Sequence, residues 1–208
     1  MQLRNYQESD FLKKSIIALV IILMTMLVSC GKNSHGDYSK IYERYSHIES
    51  YSAQIKVTAF TDGEKTVYTA NQSYLAPKMY RLDYTSDIMK GISCVLNGGR
   101  LYYRDAEENM TEFKGYIPHE KYYIFINDFF ERYCKTEDAK SQQKGNYTVL
   151  TLKENNDNPH RAYMQVFIDK NSIPKKLLTY NEKGEIAIEV EFLKFNMDEK
   201  LSKKDFEL

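Results

Sequence analysis

The sequence has no excess of basic residues, because its 29 lysine and arginine side chains are balanced by 29 aspartate and glutamate side chains. A chain without such an excess cannot neutralise a phosphate backbone, which excludes nucleic acid as an expected partner. The sequence also has only one long apolar run, at residues 15–29. No later segment approaches the ~20 apolar residues that span a bilayer, so the rest of the chain is expected to fold as one domain outside the membrane.

Catalytic and metal-binding motifs are missing as well. None of the four histidines stands with another histidine, a cysteine or a carboxylate at the spacing of a metal site. No serine lies in a nucleophile elbow, and neither Cys94 nor Cys134 has the flanking residues of a catalytic cysteine. The sequence therefore predicts a protein that is not an enzyme and that needs no cofactor or metal.

The apolar run near the N-terminus has the order of a secretory signal. Lys13 and Lys14 precede it, and Leu27-Val28-Ser29-Cys30 closes it. This ending resembles the bacterial lipobox, which implies cleavage before Cys30 and acylation of its sulfur. The alternative is an uncleaved anchor helix, but residues 15–29 fall short of the ~20 residues of a comfortable span. We therefore expect a signal peptide over residues 1–29 and a lipid-anchored protein on the extracytoplasmic face of the cell membrane.

Two further cysteines remain after Cys30. Residues 30–37 are small and polar and are expected to form a lipidated tether, so the folded domain should cover residues 38–208. Cys94 and Cys134 then form an even pair in a compartment where a disulfide can persist. They could be bonded to each other, or they could be two separate buried thiols. The sequence leaves both alternatives open.

The composition and the hydrophobic pattern favour a sheet. The chain has no tryptophan but 18 tyrosine and 10 phenylalanine residues, which suit strands with one buried and one wet face. Short segments of period-two alternation, separated by turn residues, predict eight or nine antiparallel strands. These segments are residues 53–59, 66–75, 80–84, 92–96, 100–104, 147–152, 162–168, 176–180 and 185–195, and residues 110–114 are a candidate for a short further strand. With helices near 38–50 and 119–135 and a polar linker at 140–146, the fold class is α+β, a large curved sheet with a helix over its concave face.

The helix predicted at 119–135 carries an aromatic stripe. Its members are Tyr122, Ile126, Phe129, Phe130 and Tyr133. The stripe is typical of the core face of an amphipathic helix, but the additional residues 123–125 widen the apolar arc enough to bind a partner or a lipid. Phe130 is assigned to the core. Phe125 is assigned to the outer flank, and with Tyr122, Ile126 and Phe129 it is a candidate binding residue.

Three stretches resemble the LolA/LolB-type lipoprotein carriers. They are residues 75–84, with a proline before an arginine and a tyrosine, residues 95–105, with a glycine turn, and residues 173–195 together with 206–208. The resemblance implies an unclosed half-barrel whose helices cover the concave face and enclose an apolar cavity. Such a cavity shelters acyl chains or binds a partner.

A second resemblance lies within this group. Residues 125–133 and 136–138 are similar to the germination lipoproteins related to GerS in spore-forming bacteria. This implies a non-catalytic protein that binds and activates a cell-wall or spore-cortex amidase. The alternative is a module that binds or sorts lipids or lipoproteins with its cavity. The anchor at Cys30 sets the chain apart from freely diffusing carriers, because a tethered protein cannot cross an aqueous gap.

Overall fold

Eleven strands form one sheet in the computed structural model, which describes residues 38–61, 63–113, 123–136, 139–154, 159 and 161–208. The strands are β1 (Ser50–Thr61), β2 (Glu64–Leu75), β3 (Met79–Tyr84), β4 (Ser93–Asn97), β5 (Arg100–Arg104), β6 (Met110–Phe113), β7 (Lys140–Lys144), β8 (Tyr147–Lys153), β9 (Tyr163–Asp169), β10 (Pro174–Tyr180) and β11 (Ile186–Met197). The helices are α1 (Tyr38–Ser46), α2 (Ile126–Tyr133) and a 3-10 helix (Lys203–Phe206).

The sheet is antiparallel throughout and is not closed. Its order is β6-β5-β4-β3-β2-β1-β11-β10-β9-β8-β7, so β1 and β11 join two meanders at the centre. Strands β6 and β7 are the two edges. A large open antiparallel sheet with two α-helices confirms the predicted α+β class, although eight or nine strands was too low a count.

The two faces of the sheet differ in burial. On β1, Tyr51, Ile55 and Val57 are fully buried and define what is here named the inner face. Alternate residues such as Gln54 and Lys56 define the outer face and are exposed or half-buried. This is the period-two pattern of a strand with one face in the core. Buried inner-face residues of nine strands and buried residues of both α-helices join into one hydrophobic cluster within the compact unit of residues 40–208.

The sequence pattern missed β7. Residues 140–146 contain no apolar alternation and were expected to be a linker, but Lys140–Lys144 pairs with β8 from Lys140↔Thr151 to Lys144↔Tyr147. An edge strand needs only one neighbour and can keep both faces polar. The linker prediction was therefore wrong, because the pairing with β8 stabilises a segment that has no hydrophobic pattern of its own.

Both α-helices are shorter than their predicted segments. Helix α1 ends at Ser46 rather than near Ser50, because Ser50 already pairs with Leu75 in the sheet. Helix α2 begins at Ile126, and Phe125 before it has extended backbone angles (φ −94°, ψ 127°). The first part of the predicted helix, including Tyr122, lies outside the described residues.

The C-terminus covers part of the outer face. Phe206 of the 3-10 helix is buried against Met79 and Val95, which point away from the inner face. Arg81 donates hydrogen bonds from Nη1 to the backbone carbonyls of Asp205 (2.9 Å) and Glu207 (3.2 Å). The C-terminal segment thus covers the outer face at β3 and β4.

The two cysteines of the domain are not bonded to each other. Cys94 lies on β4 and Cys134 follows α2, and both are half-buried thiols. Of the two alternatives that the sequence left open, the structure has Cys94 and Cys134 as separate residues that do not bond to each other. The predicted lipidation site, Cys30, lies outside the described residues. No helix in the described ranges has the length and the apolar character needed to cross a membrane.

Candidate functional site

Helix α2 packs its aromatic residues into the core. Phe129 and Phe130 are 0% and 1% exposed, and Ile126 is 0% exposed. The Phe130 ring stacks on Tyr45 of α1 with centroids 4.2 Å apart and an interplanar angle of 13°. Rings packed in this way contribute stacking in addition to the large apolar area that they bury. Ile126 and Phe129, two of the predicted binding residues, are therefore part of the hydrophobic core.

Phe125 is also buried, which corrects its predicted position on the outer flank. It is 4% exposed, and its ring meets Tyr80 of β3 edge-on with centroids 4.9 Å apart. The prediction placed Phe125 on a helical wheel, but the chain is extended at this residue. An extended residue does not follow the 3.6-residue period, so its side chain turns towards the sheet. Any role of Phe125 in binding stays a prediction.

A buried hydrogen-bond network holds the segment before α2 on the inner face. The Tyr51 hydroxyl donates to Oε1 of Gln72 (3.0 Å), and Nε2 of Gln72 donates to the carbonyl of Ile124 (3.0 Å). Gln72 is buried on β2 among apolar neighbours. Buried amides are retained where their donors and acceptors are satisfied, and here they position the backbone that leads into the helix.

The same network serves the first turn of α2. The Tyr51 hydroxyl lies 3.3 Å from Oδ1 of Asn127, and Nδ2 of Asn127 donates to the Tyr80 hydroxyl (3.2 Å). The N-cap residue Phe125 makes no side-chain capping bond, so Asn127 ties the first turn of the helix to tyrosines of β1 and β3. Sequence analysis missed this network, whose only sequence signals are the amides of Gln72 and Asn127 in otherwise apolar rows.

The buried tyrosines stay neutral. Burial raises the pKa of Tyr51 and of Tyr80 well above the ordinary value, and it raises the pKa of Tyr68 to about 12. Desolvation disfavours the phenolate in each case. These hydroxyls act as hydrogen-bonding groups at neutral pH rather than as charged nucleophiles or bases.

Tyr51→Phe should lower the free energy of unfolding by about 1–3 kcal/mol, because Oε1 of Gln72 and Oδ1 of Asn127 lose a hydrogen-bond donor in the core. Urea denaturation monitored by far-UV circular dichroism measures this change. The matched control is Tyr42→Phe, since Tyr42 is an exposed tyrosine of α1 and its hydroxyl can be replaced by water. Equal stabilities of the two variants would contradict a structural role for the Tyr51 hydroxyl.

An ionic cluster fixes the polar side of α2. Arg132 of α2 and Arg161 before β9 both donate to Oε1 of Glu154, the second of them at 2.6 Å. Arg132 also pairs with Asp128 one helical turn earlier at 2.5 Å. Burial raises the pKa of Glu154, although the Arg132 guanidinium opposes this shift. The two arginines and two carboxylates balance in charge. Because Arg132 and Asp128 belong to α2 while Glu154 and Arg161 lie between β8 and β9, the cluster connects α2 to that loop.

Arg161 is the most deeply buried member of this cluster. Its side chain is 3% exposed, and the Tyr123 ring lies over its guanidinium carbon at 2.9 Å. Its Nε and Nη1 atoms have no hydrogen-bond partner among the described residues. The guanidinium therefore depends on Glu154 and on the tyrosine ring for its stabilisation. In the described part of the chain, no group of three or more His, Cys, Asp or Glu could hold a metal ion.

Comparison with known proteins gives a family and a fold. The model of a family described as "Sporulation protein YdcC-like" matches residues 12–206. None of the curated proteins matches the chain significantly in sequence.

Three solved structures illustrate the shared fold. A chain of the MucA/MucB complex of Pseudomonas aeruginosa is 14% identical with a TM-score of 0.50, over 83% of this chain and 60% of that one. A chain of the Clostridioides difficile CwlD amidase in complex with the GerS lipoprotein is 18% identical with a TM-score of 0.48, over 83% and 98%. A LolA superfamily protein from Nitrosomonas europaea is 12% identical with a TM-score of 0.41, over 82% and 97%. The chain shares its fold with the MucA/MucB chain, and the LolA superfamily protein is a further, weaker likeness.

Proposed function

The chain belongs to the family of YdcC-like sporulation proteins, and on this premise we propose that it is a non-catalytic lipoprotein that binds a protein partner. Cys30 carries the lipid anchor, and the folded domain lies on the extracytoplasmic face of the cell membrane. The helices cover the concave face of the sheet. Surfaces outside the helix-covered core contact the protein partner.

The observation that carries this proposal is the burial of the aromatic residues of α2. Phe125, Phe129 and Phe130 contact the protein's own rings, including Tyr80 and Tyr45. A carrier of acyl chains needs apolar surface that a ligand can cover, and these residues are already covered in the folded chain. The geometry therefore favours a binding protein over the alternative of a lipid- or lipoprotein-sorting module, for which the described residues offer no specific support.

The partner that we propose is a cell-wall or spore-cortex amidase. Membership of a sporulation family supports a role at the developing spore, and residues 125–138 resemble the group that includes GerS. The solved GerS lipoprotein is in complex with the CwlD amidase. A protein without a catalytic group of its own would act on such an enzyme by holding it at the membrane or by stabilising its active conformation.

The test is binding between the purified full chain and the cortex amidase of the same organism. We expect a stable one-to-one complex with a Kd of about 1 µM or lower, measured by calorimetry and by size-exclusion chromatography. A secreted amidase that acts on vegetative cell wall serves as the matched control and should bind at least tenfold more weakly. Equal binding of both enzymes, or no complex at about 100 µM, would contradict the proposal.

Cys30→Ala should abolish acylation and leave the precursor uncleaved. Labelling of cells with a fatty-acid analogue measures acylation, and gel migration measures cleavage. The unaltered protein should resist extraction by salt and dissolve in detergent, since two or three acyl chains hold a protein firmly on a bilayer. Cys94→Ala is the control and should keep the label. Absence of label in the unaltered protein would show that the lipobox interpretation is wrong.

A further inference from the structure

The charges at the centre of the outer face are compensated. Lys176 of β10 lies 2.5 Å from Glu189 and 3.4 Å from Glu191, and Lys56 of β1 lies 3.5 Å from Glu191. The two glutamates belong to an alternating row on β11, which is the solvated face of a strand. These two lysines and two glutamates therefore offset each other in charge.

The outer face is different at the β7 edge. Cross-strand partners share a face of the sheet, and Glu191 on the outer face of β11 pairs with Lys176 of β10. Following the pairs from β10 through β9 and β8 to β7 places Lys140, Lys144 and Lys153 on the same outer face. All three side chains are exposed, and within the described ranges none of them forms an ion pair. We name these three residues the edge lysines. Together they form a local positive patch on a chain with no net charge.

A cleft opens between the edge lysines. It has a volume of about 450 Å³ and is lined by Lys140, Thr151, Lys153, Ala162 and Tyr163. This volume is in the range of natural binding pockets. The cleft combines one aromatic ring and one hydroxyl with two ammonium groups, so its chemistry suits a ligand with an apolar side chain flanked by negative charges.

The aromatic side of the cleft is held rigidly. The Tyr163 ring stacks on Tyr180 with centroids 4.3 Å apart and an interplanar angle of 12°. Tyr180 in turn donates from its hydroxyl to Oε1 of Gln165 (3.1 Å), and Gln165 donates to Thr151 (3.2 Å). A ring fixed by its neighbours loses little conformational entropy when a ligand covers it. Tyrosines of this kind are enriched in protein interfaces.

The edge strand itself offers a backbone site. β7 is the last strand in the sheet order, and in the described part of the chain only β8 pairs with it. The free side of an edge strand can accept an extended segment of another chain, whose backbone supplies the hydrogen bonds. In an added strand, alternate side chains would lie on the outer face, next to Lys140 and Lys144.

We propose that the β7 edge and its cleft dock an extended acidic segment of the protein partner. Carboxylates of the segment pair with the edge lysines, and an apolar or aromatic side chain between them enters the cleft against Tyr163. This inference rests on the proposed function, since it names the chemistry of the partner that such a binding protein recognises. Charge complementarity selects the partner, and the rigid ring supplies apolar contact.

The experiment measures fluorescence anisotropy of a labelled heptapeptide with glutamate at positions 2 and 6 and tyrosine or valine at position 4, which an extended backbone places on one face. The detergent-solubilised full chain should bind it, and a peptide with lysine in place of glutamate should bind about tenfold more weakly. Lys140→Gln with Lys153→Gln should weaken binding of the acidic peptide about tenfold. Tyr163→Leu should weaken it while leaving its salt dependence unchanged.

The matched control is Lys65→Gln with Lys78→Gln, which removes the same charge from two exposed lysines on the other half of the sheet. It should bind the acidic peptide within about twofold of the unaltered chain. Equal losses in both double variants, or no binding of the acidic peptide at about 1 mM, would overturn the proposal. Tighter binding of oligogalacturonate with the same sensitivity to Lys140 and Lys153 would also overturn it and identify an acidic-glycan site.

The failure of this inference can be told apart from failure of the proposed function. If the amidase binds with equal affinity to the unaltered chain and to the Lys140→Gln, Lys153→Gln variant, the partner role stands and the docking site is wrong. If the acidic peptide binds as expected but no amidase does, the docking site stands and the choice of partner is wrong.

Discussion

Phe130→Ala should lower the free energy of unfolding by about 3–5 kcal/mol, the usual cost of truncating a buried phenylalanine. The ring is 1% exposed and stacks on Tyr45, whose hydroxyl donates to the carbonyl of Ser172 (2.7 Å). Truncation therefore leaves a cavity between α1 and α2 and removes a stacking contact. A loss of this size is a large share of the stability of a typical domain. Urea denaturation of the unaltered chain and the variant measures it.

Two companion variants make this measurement decisive. Phe125→Ala should be almost as destabilising, because Phe125 is buried against Tyr80. Tyr42→Ala should change the free energy of unfolding by about 0.5 kcal/mol or less, because Tyr42 is exposed on α1. If Phe125→Ala changed the free energy of unfolding as little as Tyr42→Ala does, Phe125 would lie on the surface. A docking role for this segment would then again be a valid hypothesis.

Glu154→Ala should be the most disruptive change of a charged residue, lowering the free energy of unfolding by about 3–5 kcal/mol. The Glu154 side chain is 8% exposed and serves two guanidinium groups, of which Arg161 is almost fully buried. Removal of the carboxylate leaves the Arg161 charge in the core with only the Tyr123 ring beside it. Thermal and urea denaturation of the variant test this prediction.

The control for Glu154 is another glutamate that pairs with a basic residue. Glu131 lies 3.1 Å from Lys135 on the exposed side of α2, and such surface pairs contribute about 0–1 kcal/mol. Glu131→Ala should therefore leave stability nearly unchanged. Arg161→Met with Glu154→Leu should recover much of the loss, because it removes both buried charges together. A Glu154→Ala variant as stable as Glu131→Ala would mean that water reaches Arg161.

Much of the sheet could be predicted from the sequence because its strands keep a strict alternation. Tyr51, Ile55 and Val57 alternate with polar residues on β1, and the Asp62-Gly63 pair in the sequence is the hairpin signal that predicted the return into β2. Strand β7 could not be found in this way. Lys140–Lys144 has no apolar residue, and only its pairing with β8 makes it a strand.

The segment around Phe125 shows the limit of periodicity in the candidate site. The aromatic residues from Tyr123 to Tyr133 fit a helical stripe, yet the helix begins at Ile126. What sets this boundary is tertiary: Gln72 binds the Ile124 carbonyl, and Asn127 contacts the Tyr51 and Tyr80 hydroxyls. Hydrogen-bond partners on distant strands leave no signal in a local sequence pattern. The sequence therefore indicated the aromatic core but not the contacts that fix the residue at which α2 begins.

The edge lysines were equally hidden from the sequence. Lys140 and Lys153 are 13 positions apart, and nothing local links either of them to Tyr163. The antiparallel register of β7, β8 and β9 brings them together at one cleft. A site of this kind depends on the order of the strands in the sheet. The alternation of polar and apolar residues within a single strand does not predict that order.

Mass analysis of lipid bound to the purified domain tests the central claim most directly. The claim is that α2 fills the inner face with the protein's own aromatic residues, so that function belongs to the outside surface. Residues 30–208 with Cys30→Ala, extracted with organic solvent after purification from cells, should release no fatty acid or phospholipid in stoichiometric amount. Release of one acyl chain per molecule would contradict the claim. If a Phe129→Trp variant kept the fold but lost this acyl chain, the result would establish a lipid-binding cavity.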